Sequence, residues 1–206
     1  MASGRPLVGN DVVDLERALD PPPHPRFFER VCAPTERALL CQRAFDRRLA
    51  WTLFAAKEAA YKLVTKLRGS LAFVPAAFEV ASDLRSIQHG GHTFELVVVE
   101  RPAAVHAIVC TPSAHPLHAL GWGDPNASSA DVRRLVVAEL GRRLRVEAAR
   151  LAVVRDPDPR RWDGFAPPRL TVDELPVALD VSLSHDGRYV AFAAASEGGA
   201  KALRLR

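Results

Sequence analysis

From about Asp46 to Lys66 the chain spells its stronger helix: Leu49, Leu53, Phe54 and Tyr61 recur with several alanines at helical spacing. Gly69 ends the run, and a shorter helical stretch starting at Thr35 precedes it. After Phe73 the pattern changes to short β-branched or aromatic runs at Phe78–Val80, Thr93–Val99 and Val105–Cys110, separated by Gly90-Gly91 and Pro102. The order then begins again. A polar linker, GDPNASS from Gly123 to Ser129, precedes a helix capped by Asp131, with Val132, Leu135, Val136, Leu140 and Leu144 on one face. An Arg/Asp/Pro-rich loop (Asp156 to Pro168) leads to strands near Val177–Leu183 and Tyr189–Ala195, followed by a basic tail. Ahead of both helices, Leu7 to Leu15 reads as a strand and Asp20 to Pro25 as a loop, since consecutive prolines cannot be helical interior. This alternation predicts an α+β protein of two lobes, residues 1–123 and 124–206.

Composition narrows the class. With 206 residues, 48% apolar and 25% charged, the chain has material for a real core, which excludes disorder and collagen-like or coiled-coil architectures. Cys32, Cys41 and Cys110 lack metal-like spacing, and an odd number argues against a disulfide framework, so a reducing cytoplasm is expected. No run approaches the roughly 20 apolar residues needed to span a bilayer, and the first residues do not resemble a signal peptide. A net charge of +4 is too small to mark a nucleic-acid binder without a clustered basic face. Arg133-Arg134 and Arg142-Arg143 read as a solvated helix face. Of 28 basic residues 24 are Arg and four are Lys, and Lys57, Lys62 and Lys66 fall within one ten-residue stretch. An ammonium is a compact point charge suited to phosphate oxygens.

Three clusters carry chemistry. Gly9-Asn10-Asp11 puts an aspartate on an apolar strand beside a glycine that lets another group approach the backbone. Alone, Asp11 reads first as a turn cap. In FAAKEAAYK, Glu58 and Lys62 share a helix face. A surface ion pair is the bland reading, but the apolar flanks make these charges half-buried and in need of a partner such as a metal or phosphate. In DVSLSHDGRYVAFA, Val181 and Leu183 alternate in while Ser182 and Ser184 alternate out, and His185 precedes an Asp-Gly turn. No acid is placed to make Ser184 a triad nucleophile. Two carboxylates suit Mg²⁺, which keeps waters and binds through substrate phosphates.

These motifs resemble the 4′-phosphopantetheinyl transferase superfamily, whose G-x-D strand end, K-E-x-x-x-K helix and Ser-His strand read here as GND, FAAKEAAYK and SLSH. The resemblance implies two similar lobes related by pseudo-two-fold symmetry, each a small antiparallel sheet packed on a long helix. It implies transfer of the 4′-phosphopantetheine of coenzyme A to a serine of an acyl or peptidyl carrier protein, releasing 3′,5′-ADP. Asp11 and Glu58 would hold Mg²⁺; Glu58 would take the serine proton; Lys62 would face the pyrophosphate. Ser184 and His185 would hold the 3′-phosphate, with Lys57 a further phosphate contact. Two covalent lobes imply a monomer; no membrane or nucleic-acid partner is expected.

The Ser-His strand comes last, whereas two-lobed members carry it first, so the chain order is expected to be circularly permuted. That requires the ends of the Tyr189–Ala195 and Leu7–Asp11 strands to lie close. Val13 stands where two-lobed members commonly have a second acid, with Asp14 pointing elsewhere. Gly164 to Pro168 replaces a Gly-Lys-Pro segment, leaving Arg160, Arg161 or Arg169 to substitute for its lysine. These departures fit a degenerate member that binds coenzyme A or carrier without transfer. A rival of another class, an Arg-rich nucleic-acid binder, requires steeply salt-dependent duplex binding.

Overall fold

The structure, a computed structural model, describes residues 5–19, 26–69, 71–112, 114–123, 127–161 and 163–196. The loop at 20–25, the middle of the GDPNASS linker and the tail with Lys201 lie outside the described residues.

The first half comprises β1 (Val8–Asp14), helices α1 (Leu15–Leu19), α2 (Arg26–Val31), α3 (Pro34–Gln42) and α4 (Arg47–Arg68), then β2 (Glu79–Val80), β3 (Ser86–His89), β4 (His92–Arg101) and β5 (Ala104–Cys110). The second comprises β6 (Leu117–Trp122), α5 (Ser129–Leu144), β7 (Leu151–Val154), β8 (Arg169–Val172), β9 (Leu175–Asp186) and β10 (Tyr189–Ala195). Two five-stranded antiparallel sheets result, ordered β1-β5-β4-β3-β2 and β6-β10-β9-β8-β7. Replacing β1 through β5 by β6 through β10 turns one order into the other, and α4 and α5 occupy equivalent places. The chain is α+β and runs one topology twice.

The sheets change between Cys110 and Leu117, ahead of the boundary expected at 123/124. The reason is pairing: Leu117 to Trp122 zips onto Ala194 to Tyr189 of β10, a register that chain proximity does not reveal. The helix starts are also informative. Asp46 caps α4, its carboxylate accepting from the N–H groups of Arg48 at 2.9 Å and Leu49 at 3.3 Å. For α5 the cap is Ser128 rather than Asp131. Asp131 instead returns a bond to the Ser128 N–H at 2.7 Å, the reciprocal box that satisfies two otherwise orphaned donors.

β1 is buried on both faces, which explains its near-continuous apolar sequence. Leu7, Val13 and Leu15 pack with the α4 alanines, while Val8 meets Ala193 and Ala195, and Val12 meets Tyr189 and Ala191. Gly9 is required: a Cβ there would stand 1.9 Å from the Ala59 carbonyl oxygen. The group that approaches this backbone is the helix itself.

The free edge of β1 meets side chains of β9. Val8 N–H donates to Asp180 Oδ2 at 2.8 Å, Asn10 N–H to Ser182 Oγ at 3.0 Å, and Asp14 N–H to Asp186 Oδ2 at 2.9 Å. Lys66 clamps the same seam, donating to Val8 O and Val181 O, each at 2.7 Å, and to Asp180 Oδ2 at 2.8 Å. The outward alternation of Ser182 and Ser184 therefore points into the seam between lobes, not into solvent.

Candidate functional site

A cleft of about 350 Å³ opens between the lobes, and Asp11, Glu58, Lys62, Ser184 and His185 all line it. β1 delivers Asp11. The α4 stripe at 58, 62 and 66, one residue per turn, delivers Glu58 and Lys62 and continues to the seam clamp Lys66. β9 delivers Ser184 and His185 from the other lobe.

Lys62 donates to Asp11 Oδ1 at 2.8 Å and to the Asn10 carbonyl at 3.0 Å. Burial raises Asp11 above the usual carboxylate range, with the Lys62 ammonium pulling against it. Glu58 is pushed up to about 7, first by burial and then by the neighbouring Asp11 charge, against which Lys62 acts. Its carboxylate accepts no hydrogen bond among the described residues. Ser184 Oγ accepts from Asn10 Nδ2 at 2.9 Å. His185, exposed on the opposite face of β9, places Nε2 3.4 Å from Ser129 Oγ at the start of α5.

Lys57 goes elsewhere, which corrects the expectation of a phosphate contact. One residue back from Glu58 is about 100° around the helix, and that turns Lys57 into the core of the first lobe. Its side chain is 0% exposed, 2.7 Å from Glu36 Oε2, and also donates to the carbonyls of Pro75 at 3.1 Å and Phe78. Burial lowers its pKa and Glu36 opposes that. A buried charge did need a partner, but the partner is a carboxylate on α3.

Three arginines line the cleft from the second lobe: Arg133, Arg155 and Arg161. Of the three considered as lysine substitutes, Arg161 alone lines it, donating to the Thr65 carbonyl at 3.1 Å. Arg160 and Arg169 are engaged by Asp158 and Asp156. Sequence reasoning missed Arg155, held by Asp163 at 2.7 Å. It also read Arg133 as part of a solvated face. Arg134 does pair with Asp131, and Arg142 and Arg143 with Glu139, yet Arg133 faces the cleft without an ion pair among the described residues. The available signal was spacing: Arg133 sits one turn after Ser129, on the flank of the apolar stripe.

Val13 packs into the core, and Asp14 points the other way, as expected. Arg188 donates to Asp14 through Nε and Nη2, each at 2.9 Å. The turn before it needs Gly187, at φ 52°, where a Cβ would lie 2.5 Å from Asp14 Oδ2. A second hollow of about 380 Å³ shares Asp11, Glu58 and His185 with the first and is walled by Trp51 and Phe54. Among the described residues no helix is long and apolar enough to cross a membrane, and no group of three His, Cys, Asp or Glu side chains is placed to hold a metal ion.

Among solved structures, the chain is similar to a holo-[acyl-carrier-protein] synthase (AcpS) from Thermotoga maritima, at 17% identity and a TM-score of 0.36, over 82% of this chain and 83% of that one. No curated protein sequence matches. Residues 7–108, which hold β1 through most of β5, match the model of the 4′-phosphopantetheinyl transferase superfamily. That stretch carries the G-x-D strand and the K-E-x-x-x-K helix, and through it the chain is similar to the 4′-phosphopantetheinyl transferase superfamily.

Proposed function

We propose that the protein transfers the 4′-phosphopantetheine group of coenzyme A to a serine of an acyl or peptidyl carrier protein, releasing 3′,5′-ADP. The observation that carries this reading is that Asp11, Glu58 and Lys62 of one lobe share a single cleft with Ser184 and His185 of the other. Two hollows meeting at Asp11, Glu58 and His185 also suit a reaction between two substrates, one arriving from each side.

Asp11 and Glu58 would hold Mg²⁺. The fit rests on the donor set: two adjacent carboxylates, close enough for one charge to lift the other, match an ion that takes few protein oxygens and fills its shell with phosphate and water. When bound, the ion supplies charge neutralisation at the leaving phosphate. Lys62, anchored on Asp11 and Asn10, presents an ammonium to the pyrophosphate. Glu58, lifted to about 7, is matched to accept a hydroxyl proton near neutral pH. Ser184 and His185 bind the 3′-phosphate, and Arg133 and Arg161 add positive charge on the same side. Lys57 has no part in this chemistry.

We also read the motif order as a circular permutation, because Ala195 at the end of β10 packs in one cluster with Val8 at the start of β1. The test of function is mass measurement of an apo carrier protein incubated with the protein, coenzyme A and Mg²⁺. Holo product that disappears with Glu58→Ala supports transfer. Coenzyme A binding without modification of any carrier supports the degenerate reading, for which Val13 in place of a second acid speaks.

A further inference from the structure

We propose that Asn10 is a positioning residue that turns the hydroxyls of Ser182 and Ser184 into hydrogen-bond donors toward an anionic group in the cleft. The proposal rests on the coenzyme A reading of that cleft. It adds a residue, and a second serine, to which the motif resemblance gives no role.

Asn10 is 0% exposed and stands where the edge of β1 meets β9. It spends its donors on the two serines: the backbone N–H goes to Ser182 Oγ at 3.0 Å and Nδ2 goes to Ser184 Oγ at 2.9 Å. The second Nδ2 contact is His106 Nε2 at 3.0 Å. The amide orientation follows from counting. As placed, the buried Oδ1 lacks a partner, and so does the Nδ1–H that a neutral His106 accepting at Nε2 must carry. The reverse orientation would leave two amide N–H donors without acceptors in place of that one ring N–H, the costlier defect. Burial pushes His106 down to about 3, so the ring is neutral and Nε2 is free to accept.

A hydroxyl has one proton. Each serine oxygen accepts from Asn10 on its inner side, so its proton must point elsewhere. Neither hydroxyl donates to a protein acceptor among the described residues, and both serines line the cleft. Two O–H donors on one strand face, lining the same cleft as His185, make a binding end that favours a phosphate over a cation. The Asn10 carbonyl meanwhile accepts from Lys62 at 3.0 Å, so one residue contacts both Lys62 and the serines.

The test compares binding of coenzyme A and 3′-dephospho-coenzyme A to the full chain by calorimetry, with melting curves for every variant. Wild type prefers coenzyme A, and Ser184→Ala reduces that preference about tenfold, the effect of one hydrogen bond to a charged group. Asn10→Leu removes the side-chain bond to Ser184 and keeps the backbone bond to Ser182, so it lowers coenzyme A affinity several-fold, no more than Ser184→Ala does, and leaves 3′-dephospho-coenzyme A within about twofold. It has no further effect when both serines are already alanine. If Asn10→Leu weakens both ligands alike, or still acts in the double-alanine background, Asn10 is structural and the proposal is overturned. Wild type that binds neither ligand, or does not distinguish them, removes the coenzyme reading and the proposal together. Should Asn10→Leu not fold, Asn10→Ser, too short to reach Ser184, is judged by the same criteria.

Discussion

Helix α4 lies on its sheet through small side chains: Ala55, Ala56, Ala59 and Ala60 are all 0% exposed, and Gly9 admits the helix backbone onto β1. Helix α5, in the equivalent place of the second lobe, packs through Val132, Val136, Leu140 and Leu144. The close approach of α4 draws its charged residues down with it. Lys57 is fully buried, Lys66 nearly so, and Glu58 half-buried. On α5 the longer apolar side chains stand between helix and sheet, and Arg134, Arg142 and Arg143 are answered by acids one turn away at the surface. One topology thus keeps its charges in two dielectric regimes. Where a charge is buried its partner decides its role; where it is exposed, solvent does.

The comparison breaks most visibly at Glu58. Glu58→Gln keeps the shape and removes the charge, and transfer activity should fall by about 10²–10⁴-fold. Stability should move the other way. The acid is raised in the folded protein, so folding favours its protonated form and stability falls as pH rises from the unfolded value near 4.5 toward 7. The variant should lack that decline and be at least as stable as wild type above pH 7. Urea titrations at several pH values check this; a variant that loses activity and stability together would make Glu58 a structural residue.

Next in size is Lys57. Lys57→Met leaves Glu36, 1% exposed, without its cation, though Ala33 N–H and Val80 N–H still donate to it. About 3 kcal/mol should be lost, since the remaining charge stays buried. Adding Glu36→Gln should recover much of that in a urea titration. A single variant as stable as wild type would show that α4 does not hold its charges in a low dielectric.

The two kinds of helix were unequally legible in sequence. Capping and periodicity placed α4 within a residue or two, because a long helix states its period many times. The residues of the cleft were found because Glu58, Lys62 and Asp11 lie on elements that periodicity defines. What escaped was set by tertiary pairing. The edge strand β6, Leu117 to Trp122, is half-exposed and carries only a weak alternation. The partner of Lys57 is 21 residues upstream on another helix, and no local pattern joins Lys57 to Glu36. Ser182 and Ser184 alternate correctly, but whether the outer face meets water or a second lobe depends on the seam. Arg133 was misread for the same reason.

A smaller effect probes that seam through its two histidines. His106 of β5 and His118 of β6 face each other, ring centres 5.9 Å apart. Burial lowers both; His106 reaches about 3, while His118 is also lowered by Arg143. The unfolded chain takes up a proton at each near pH 6.5, the folded protein at His106 only near 3, so protons favour unfolding throughout that window. Stability should therefore fall by about 1.6 kcal/mol between pH 6.5 and pH 5 from His106 alone. His106→Gln should flatten this slope in urea titrations, whereas a slope unchanged by the substitution would place the acid-sensitive group elsewhere.

The smallest effect is expected on α5, and it sharpens the contrast from the other side. Arg142 is 69% exposed and donates to Glu139 Oε2 at 2.9 Å, three residues away. Both side chains are ordered by this contact only at an entropic cost, and water already solvates them well. Glu139 moreover keeps Arg143 at 3.5 Å after Arg142 is removed, so no acid is stranded. Arg142→Ala should change stability by a few tenths of a kcal/mol at low salt and by less at high salt, where surface pairs are screened. A salt-insensitive loss above about 1 kcal/mol would mean that α5 too carries its charges in a shielded environment. The division between the two helices would then rest on which acids and bases they were given, and not on how closely alanine lets a helix approach its sheet.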